Sequence, residues 1–215
     1  FCISGHIHLS KYKGTEFFDR QMMNEKTLMN LVKDLSKTET KSISWTGGGE
    51  PTMNPKLKEA IEYLRDNSKI EMGMFSNGSM FSRFNLFETI VSSLTWIRIS
   101  MDSGRKENYD KLRVTNLNNN FDVVMKNIKK LIEYKRKFKS NITIGVGFVV
   151  TRDNYEEILD FANLFKELDV DYCQYKPEVI QIETNSSIDK KEQIPAEFWA
   201  SKVVELLDEA SEILG

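Results

Sequence analysis

Short apolar runs alternate along this chain with longer amphipathic stretches, and this alternation constrains the fold more than any other feature. The runs predict strands, because they are rich in β-branched and aromatic residues and end at Gly, Asn, Asp or Pro. The five predicted strands cover residues 42–45, 72–75, 96–101, 142–150 and 172–175, the last one stopped by Pro177.

Helical patterns occupy the intervals between these strands, with apolar residues recurring every three or four positions. Asn24 is expected to cap the first helix, Pro55 to stand in the first turn of the second, and Asn154 to cap the fifth. The six predicted helices run through residues 24–36, 55–64, 84–94, 121–138, 154–168 and 198–214. Strands that alternate with such helices imply βαβ crossovers, so the sequence predicts an α/β fold with a parallel sheet.

Composition excludes several classes of protein. The chain has 215 residues, two of them cysteine, and a formal net charge of −2. One domain is expected at this length, and two cysteines are too few for a disulfide scaffold. A nearly neutral chain lacks the bulk charge that attracts nucleic acid or membrane surfaces, and no apolar run reaches the ~18 residues of a membrane-spanning helix. The polar stretch 181–193 is the best candidate for a loop or subdomain boundary.

The residues that follow each strand carry the functional signal, because chemistry in parallel α/β folds collects at the carboxyl ends of the strands. Gly47, Gly48 and Gly49 come after the first strand and are followed by Glu50. Glycines allow a backbone to turn sharply or to approach a ligand, and a carboxylate beside open backbone groups suits an ammonium group. The alternative is a tight turn with an exposed Glu. A phosphate cradle is disfavoured, since no P-loop Lys-Ser/Thr follows.

Later strand ends add donors and charges to this pattern. Asn77 can donate to a carboxylate or a hydroxyl, or simply form the turn that Asn-Gly favours. Ser100 and Asp102 point to the same side of an extended chain and suit a diol such as a ribose, unless they cap a helix. Arg113 lies on a short helical turn, where it either clamps a carboxylate or is a surface residue.

Taken in this order on successive strand ends, these residues resemble the radical S-adenosylmethionine superfamily. The dipeptide Phe1-Cys2 is similar to the end of that family's CxxxCxxC loop, and residues 45–51 (WTGGGEP) resemble its GGE motif. Four further segments are similar to later elements of the family: 75–78 (FSNG), 99–102 (ISMD), 107–113 (ENYDKLR) and 146–154 (VGFVVTRDN). The resemblance covers residues 1–176 and departs at one point, since the chain contains a single cysteine of the loop.

The resemblance implies two cofactors, a 4Fe–4S cluster and S-adenosylmethionine. Cys2 would be a cluster ligand with Phe1 beside it, and the other two cysteines are expected three and seven positions before Cys2, upstream of this chain. The resemblance also implies which residues contact S-adenosylmethionine. Gly48, Gly49 and Glu50 would hold its amino group and Arg113 its carboxylate. Ser100 and Asp102 would contact the ribose, the Val149 backbone would lie beside adenine, and Asn77 would contribute from the segment 75–78, which is similar to the family's TNG-type element.

The fold implied by the resemblance is a partial, open TIM-like (β/α)6 barrel. Residues 1–180 would form the core of this barrel, with its first strand and most of the cluster loop upstream of the chain. Residues 181–215 would form a loop and the last barrel helix, which would lead to a C-terminal extension. The implied activity is formation of a 5′-deoxyadenosyl radical that abstracts hydrogen from a peptide or from a sugar or alcohol. We expect an electron donor such as flavodoxin or ferredoxin and a cytoplasmic location. We expect no nucleic-acid or membrane partner.

Two other functions remain open from the residues alone. A closed-shell barrel lyase or isomerase needs a Schiff-base lysine or a set of metal-binding carboxylates, and Lys176 is the only candidate lysine at a strand end. A non-catalytic barrel that binds a nucleotide would use the same loops without turnover. Cys173 either ligates an auxiliary cluster or is a small core residue.

Overall fold

The computed structural model describes residues 22–113, 120–178 and 196–215, and in it five parallel strands form one sheet. The strands are β1 (Ser42–Trp45), β2 (Glu71–Ser76), β3 (Trp96–Ser100), β4 (Thr143–Val150) and β5 (Tyr172–Pro177). Their order in the sheet is their order in the chain, and each neighbouring pair is parallel. This arrangement is the wall of an open TIM-like barrel, so the predicted α/β fold with parallel strands is confirmed.

Helices connect the strands and cover one face of the sheet. They are α1 (Glu25–Leu35), α2 (Leu57–Asn67), α3 (Phe87–Ser93), α4 (Lys106–Leu112), α5 (Asn120–Phe138), α6 (Ile158–Leu168), α7 (Ala196–Phe198) and α8 (Val204–Leu214). Single 3₁₀ turns occur at Pro51–Met53 and Tyr155–Glu157, and a π-helix at Trp199–Val203 joins α7 to α8. Among the described helices, none combines the length and the apolar character needed to cross a membrane.

Alternate strand residues face the helices and form the core, because successive side chains of a strand point to opposite faces. In β3, for example, Ile97 and Ile99 are fully buried, whereas Trp96, Arg98 and Ser100 are only half-buried. The buried strand residues of this core are Met72, Met74, Ile97, Ile99, Ile144, Val146, Phe148 and Val150. Burial of each large apolar side chain contributes about 1.5–3 kcal/mol relative to its exposure.

The opposite face of the sheet, which we call the inner face, carries the other set of strand residues. Two of them are glycines on which a ring from a neighbouring strand lies. A Cβ atom on Gly73 would be 2.0 Å from the ring of Trp96, and one on Gly145 would be 2.1 Å from the ring of Tyr172. Glycine is therefore required at both positions for these rings to lie across the sheet.

The predicted bounds of the first four strands agree with the structure to within one residue at each end. The fifth strand differs, because β5 continues through Pro177 instead of stopping before it, and Pro177 is paired with Val150. Proline is tolerated there because β5 is an edge strand of the described sheet and Pro177 is its last residue. The predicted domain boundary between residues 180 and 181 lies outside the described residues.

The structure confirms one of the three predicted helix starts. Asn24 caps α1 as expected, since its side chain accepts a hydrogen bond of 2.8 Å from the Thr27 N–H. Pro55 is not in the first turn of α2, which begins at Leu57. The side chain of Asn154 does not cap the fifth predicted helix, because it bonds to the ends of β3 and β4 instead and a 3₁₀ turn precedes α6.

Cys173 packs against the helix-covered core from β5, which agrees with its interpretation as a core residue. Burial raises the pKa of its thiol from 9.0 to about 12. The thiolate is the reactive form of cysteine, so burial lowers the reactive fraction of Cys173 near pH 8 well below that of an unburied cysteine.

We therefore expect Cys173 to be alkylated at least about a hundredfold more slowly in the native protein than after unfolding in urea. Iodoacetamide labelling followed by quantitative peptide mapping measures both rates at this single residue. Equal rates in the two states would contradict the burial of the sulfur.

Candidate functional site

The carboxyl ends of β1 to β4 lie side by side along one edge of the sheet, because the strands are parallel and ordered as in the chain. This edge carries every predicted site residue that the structure describes: Gly48, Gly49, Glu50, Asn77, Ser100, Asp102, Arg113 and Val149. All but Arg113 belong to strand ends or the loops that follow them, and Arg113 reaches the edge from the end of α4. Phe1 and Cys2 lie outside the described residues.

The Glu50 carboxylate joins the loops that follow β1 and β2. Its Oε1 atom accepts hydrogen bonds from the Thr52 N–H, the Thr52 hydroxyl and the Ser76 hydroxyl, the last at 2.7 Å. Its Oε2 atom accepts from the Asn77 N–H at 2.6 Å. A carboxylate has about four acceptor positions shared by its two oxygens, so among the described residues three donors crowd Oε1 while Oε2 keeps room for another donor.

The glycine run before Glu50 leaves open space at the strand edge. None of Gly47, Gly48 and Gly49 has a positive φ, so the backbone conformation here does not require glycine. A Cβ atom on Gly49 would have no heavy atom within 4 Å, and one on Gly47 would meet only the Gly49 nitrogen at 3.8 Å. Gly47 and Gly49 therefore leave volume beside Glu50 that no described atom fills, and the chain also bends at Gly48 and Gly49, as the sequence allowed.

Asn77 begins a tight turn that is anchored from a distant helix. Its side-chain oxygen accepts hydrogen bonds from the N–H and the hydroxyl of Ser79, and the left-handed residue of the turn is Gly78, with φ 73°. Asn127 of α5 is 1% exposed and donates to the Gly78 carbonyl at 2.7 Å. Sequence reasoning missed Asn127, because nothing local distinguishes it from the solvent-facing polar residues of an amphipathic helix.

Asp102 joins the ends of β3 and β4. Its φ of 58° turns the chain away from the extended path, so Ser100 and Asp102 do not present their side chains as neighbours on one extended strand. The Asp102 carboxylate is 1% exposed, accepts a hydrogen bond of 2.9 Å from the Val149 N–H, and forms an ion pair with Arg113. Both oxygens are thus used within the protein.

The backbone of Val149 is held on both sides. Its N–H donates to Asp102, and its carbonyl accepts a hydrogen bond of 2.9 Å from the Asn154 side chain. The same Asn154 amide donates to the Asp102 carbonyl at 2.9 Å, and its oxygen accepts from the Thr151 N–H at 2.7 Å. These bonds fix the position of β4 relative to β3 at the edge, and they explain why Asn154 is buried and does not cap a helix.

Arg113 and Tyr109 form the side of the site on α4. The guanidinium of Arg113 is paired with Asp102 and lies 5.8 Å from the centre of the Tyr109 ring. Burial raises the pKa of Tyr109 to about 12, so its hydroxyl stays protonated at neutral pH. Arg113 is therefore already bound to a carboxylate of the protein, in addition to the role in cofactor binding that the resemblance implies.

Glu157 is a second buried carboxylate that sequence reasoning missed. It is 4% exposed and accepts hydrogen bonds from the hydroxyl of Ser103, the N–H groups of Gly104 and Arg105, and the Asn108 amide. These donors belong to the loop after β3 and to α4, whereas Glu157 lies in the turn after β4. It therefore positions the loop that carries the chain from Asp102 to Arg113.

The remaining candidates do not join this cluster. Lys176, the only lysine suggested for a Schiff base, is exposed at the end of β5. In the part of the chain that the structure describes, no three His, Cys, Asp or Glu side chains come together as a metal site. These two observations give no support to a closed-shell lyase or isomerase that uses a Schiff base or a carboxylate-bound metal.

Comparison with known proteins gives one family and several relatives. The profile of the Radical SAM superfamily matches residues 1–165. The molybdenum cofactor biosynthesis protein moc-5 of Caenorhabditis elegans is 31% identical over 160 residues, which are 73% of this chain and 25% of that protein. A probable GTP 3′,8-cyclase of Saccharolobus islandicus is 24% identical over 152 residues, 71% of this chain and 46% of the relative. The chain thus spans less than half the length of these curated relatives.

Solved structures share the fold. The structure of native anSMEcpe with bound AdoMet superimposes with a TM-score of 0.65 and 19% sequence identity, over 88% of this chain and 52% of that one. This likeness supports the assignment of the five-stranded sheet to a partial barrel.

Asp102 offers a test of how the edge is held together. We expect Asp102→Ala to lower the free energy of unfolding by about 3–5 kcal/mol, because it breaks the partly buried ion pair with Arg113 and leaves the Val149 N–H without its acceptor. Urea denaturation measures this change. The matched control is Asp66→Ala, which removes an exposed carboxylate paired with Arg65 and should leave the transition midpoint almost unchanged. Equal effects of the two substitutions on the free energy of unfolding would contradict the inference that Asp102 stabilises the ends of β3 and β4.

Proposed function

The chain belongs to the Radical SAM superfamily, and from this premise we propose that the protein cleaves S-adenosylmethionine reductively in order to start radical chemistry on a substrate. When bound, a 4Fe–4S cluster supplies the electron for this cleavage, which yields methionine and a 5′-deoxyadenosyl radical that takes a hydrogen atom from the substrate. The observation that carries the proposal is the Glu50 carboxylate, which keeps acceptor capacity beside the open space at Gly47 and Gly49.

An ammonium group fits this part of the edge. The Oε2 atom of Glu50 can accept a charge-assisted hydrogen bond from the amino group of S-adenosylmethionine, while its bonds to Thr52 and Ser76 keep the carboxylate in place. The absence of side chains at Gly48 and Gly49 lets the cofactor approach the backbone closely. The role of Glu50 is to bind and orient, and it needs no proton transfer.

The rest of the cofactor would extend along the ends of β3 and β4. Ser100 can bond to the ribose with its hydroxyl, and Val149 can contact the adenine through its side chain and the second lone pair of its carbonyl. The Asp102 carboxylate is used by Val149 and Arg113, so we assign it a positioning role rather than a direct contact with the ribose. Arg113, oriented by Asp102, would hold the methionine carboxylate, and Asn77 would support the turn beside the amino group.

Cys2 would be one of three thiolate ligands of the cluster, with Phe1 packed beside it, and two cysteines upstream would complete the set. The reaction also needs a reductant, for which we propose a flavodoxin or a ferredoxin.

The substrate is a small molecule or a peptide. Of the two expected classes, peptides and sugars or alcohols, we propose the second, since a probable GTP 3′,8-cyclase is among the sequence relatives and GTP contains a ribose.

Reconstitution of the full-length protein tests the cluster. Loading with iron and sulfide under anaerobic conditions should produce absorbance at about 400 nm, and addition of S-adenosylmethionine and dithionite should produce 5′-deoxyadenosine. We expect Cys2→Ser to abolish both signals and Cys173→Ser to preserve them, because Cys173 packs in the core.

Loss of the signals in both variants, or in neither, would contradict the assignment of Cys2. A wild-type protein that holds the cluster and binds S-adenosylmethionine without cleaving it would be the non-catalytic barrel instead.

Glu50→Gln tests the cofactor site independently of turnover. We expect the dissociation constant of S-adenosylmethionine to rise by about tenfold to a hundredfold, the usual effect of losing one hydrogen bond to a charged group. Calorimetric titration of the folded, cluster-loaded variant measures it. The matched control is Glu59→Gln on α2, which alters an exposed carboxylate paired with Lys56 and should leave the constant unchanged. Unchanged binding by Glu50→Gln would contradict the site.

A further inference from the structure

The inner face of the sheet carries a cation that the cofactor site does not use. Arg98 is the middle residue of β3 and points away from the helices, since Ile97 and Ile99 on either side of it are buried in the core. It lies in the register row formed by Phe75 of β2 and Gly145 of β4. Ser100, two residues further along the same face, is about 7 Å closer to the strand ends. Arg98 is therefore directly below the edge that holds the cofactor.

The surroundings of Arg98 orient its guanidinium without neutralising it. The guanidinium carbon lies 4.4 Å from the centre of the Phe75 ring, and Nη1 donates to the side-chain oxygen of Gln174 on β5. The stem crosses β4 at Gly147, where a Cβ atom would be 3.6 Å from the Arg98 Cδ. A ring on one side, an amide at one nitrogen and a glycine under the stem hold a planar donor in one orientation.

The charge of Arg98 has no carboxylate partner among the described residues, which sets it apart from other arginines of the chain. Arg65, Arg105, Arg113 and Arg136 each form an ion pair with an aspartate. Arg98 is half-buried, and its unpartnered nitrogens are not among the buried polar atoms, so they remain accessible to a ligand. Only one of its five N–H donors has a described acceptor, so within the described residues the group keeps capacity to bind an anion.

The neighbouring surface is aromatic. Trp96 lies across Gly73 and contacts the Phe75 ring, with 4.8 Å between the ring centres, and Tyr172 lies across Gly145. Burial raises the pKa of Tyr172, which keeps its hydroxyl protonated and able to donate a hydrogen bond. The inner face thus offers rings for a flat organic group and a guanidinium for an oxyanion.

We propose that Arg98 binds an oxyanion group of the substrate, a carboxylate or a phosphate, and that Phe75 and Gln174 position its guanidinium for this purpose. The inference rests on the proposed function, since it makes the inner face the place where the substrate meets the radical. It assigns to the substrate an acidic group on the side remote from the atom that loses hydrogen.

Calorimetric titration of the full-length, cluster-loaded protein with inorganic phosphate and, separately, with acetate tests the proposal. Saturating S-adenosylmethionine without a reductant keeps the cofactor site filled and prevents turnover. We expect at least one of the two anions to bind, and its dissociation constant to rise by about tenfold or more in Arg98→Met, which keeps the apolar stem and removes the charge. Tighter binding of phosphate would identify a phosphorylated substrate, and tighter binding of acetate a carboxylic acid.

Two further variants separate loss of the charge from loss of the fold. Gln174→Glu keeps Arg98 but places a carboxylate beside it, and should weaken anion binding in the same way. Arg83→Met is the matched control, because Arg83 also lies over a phenylalanine, 5.6 Å from the ring centre of Phe84, but is exposed to solvent. It should leave anion binding unchanged.

Several outcomes would overturn the proposal. The first is that neither anion binds to the wild-type protein. The second is that anion binding is unchanged in Arg98→Met or is lost equally in Arg83→Met. The third is that Arg98→Met binds S-adenosylmethionine itself more weakly, which would assign Arg98 to the cofactor. Formation of 5′-deoxyadenosine by the wild-type protein is measured separately. Its presence without anion binding would reject the role of Arg98 alone, and its absence would reject the proposed function.

Discussion

Carboxylates that reach from one strand end to the next hold the functional edge of this protein together. Backbone N–H groups that leave a parallel sheet at its carboxyl edge lose their ladder partners and need other acceptors. Glu50, after β1, accepts the Asn77 N–H after β2, and Asp102, after β3, accepts the Val149 N–H of β4. These bonds join the end of β1 to that of β2 and the end of β3 to that of β4. They hold the loops that carry Glu50 and Asp102 in place without a ligand.

The two carboxylates differ in how their charge is balanced, and this difference separates their roles. Asp102 is almost completely buried and paired with Arg113, so its charge is compensated inside the protein. Glu50 is half-buried and bonded only to neutral donors among the described residues. A negative charge therefore remains at the β1–β2 end of the edge, while the positive charge of Arg98 lies on the inner face. Such a field favours a ligand whose cation is near the edge and whose anion is deeper.

The strands and the position of the site were predictable from sequence because both depend on local signals. A short apolar run rich in β-branched and aromatic residues, followed by Gly, Asn or Asp, identifies a strand and its end, and parallel topology then gathers the strand ends. The left-handed turn at Asp102 was not predictable, because it is imposed by contacts with Gly147 and Val149, far along the chain. Asn127 and Glu157 were missed for a related reason, since each is polar in a polar segment and only tertiary packing buries it.

The rings on the inner face rest on glycines of adjacent strands, so the space above the inner face depends on which rings lie there. Tyr172 occupies volume that Gly145 vacates, and Trp96 does the same above Gly73. A smaller side chain in place of either ring would leave that space free, because glycine has no side chain to fill it. The volume available to a ligand on the inner face is therefore set by two side chains at the amino ends of β3 and β5, away from the strand ends that carry Glu50 and Asp102.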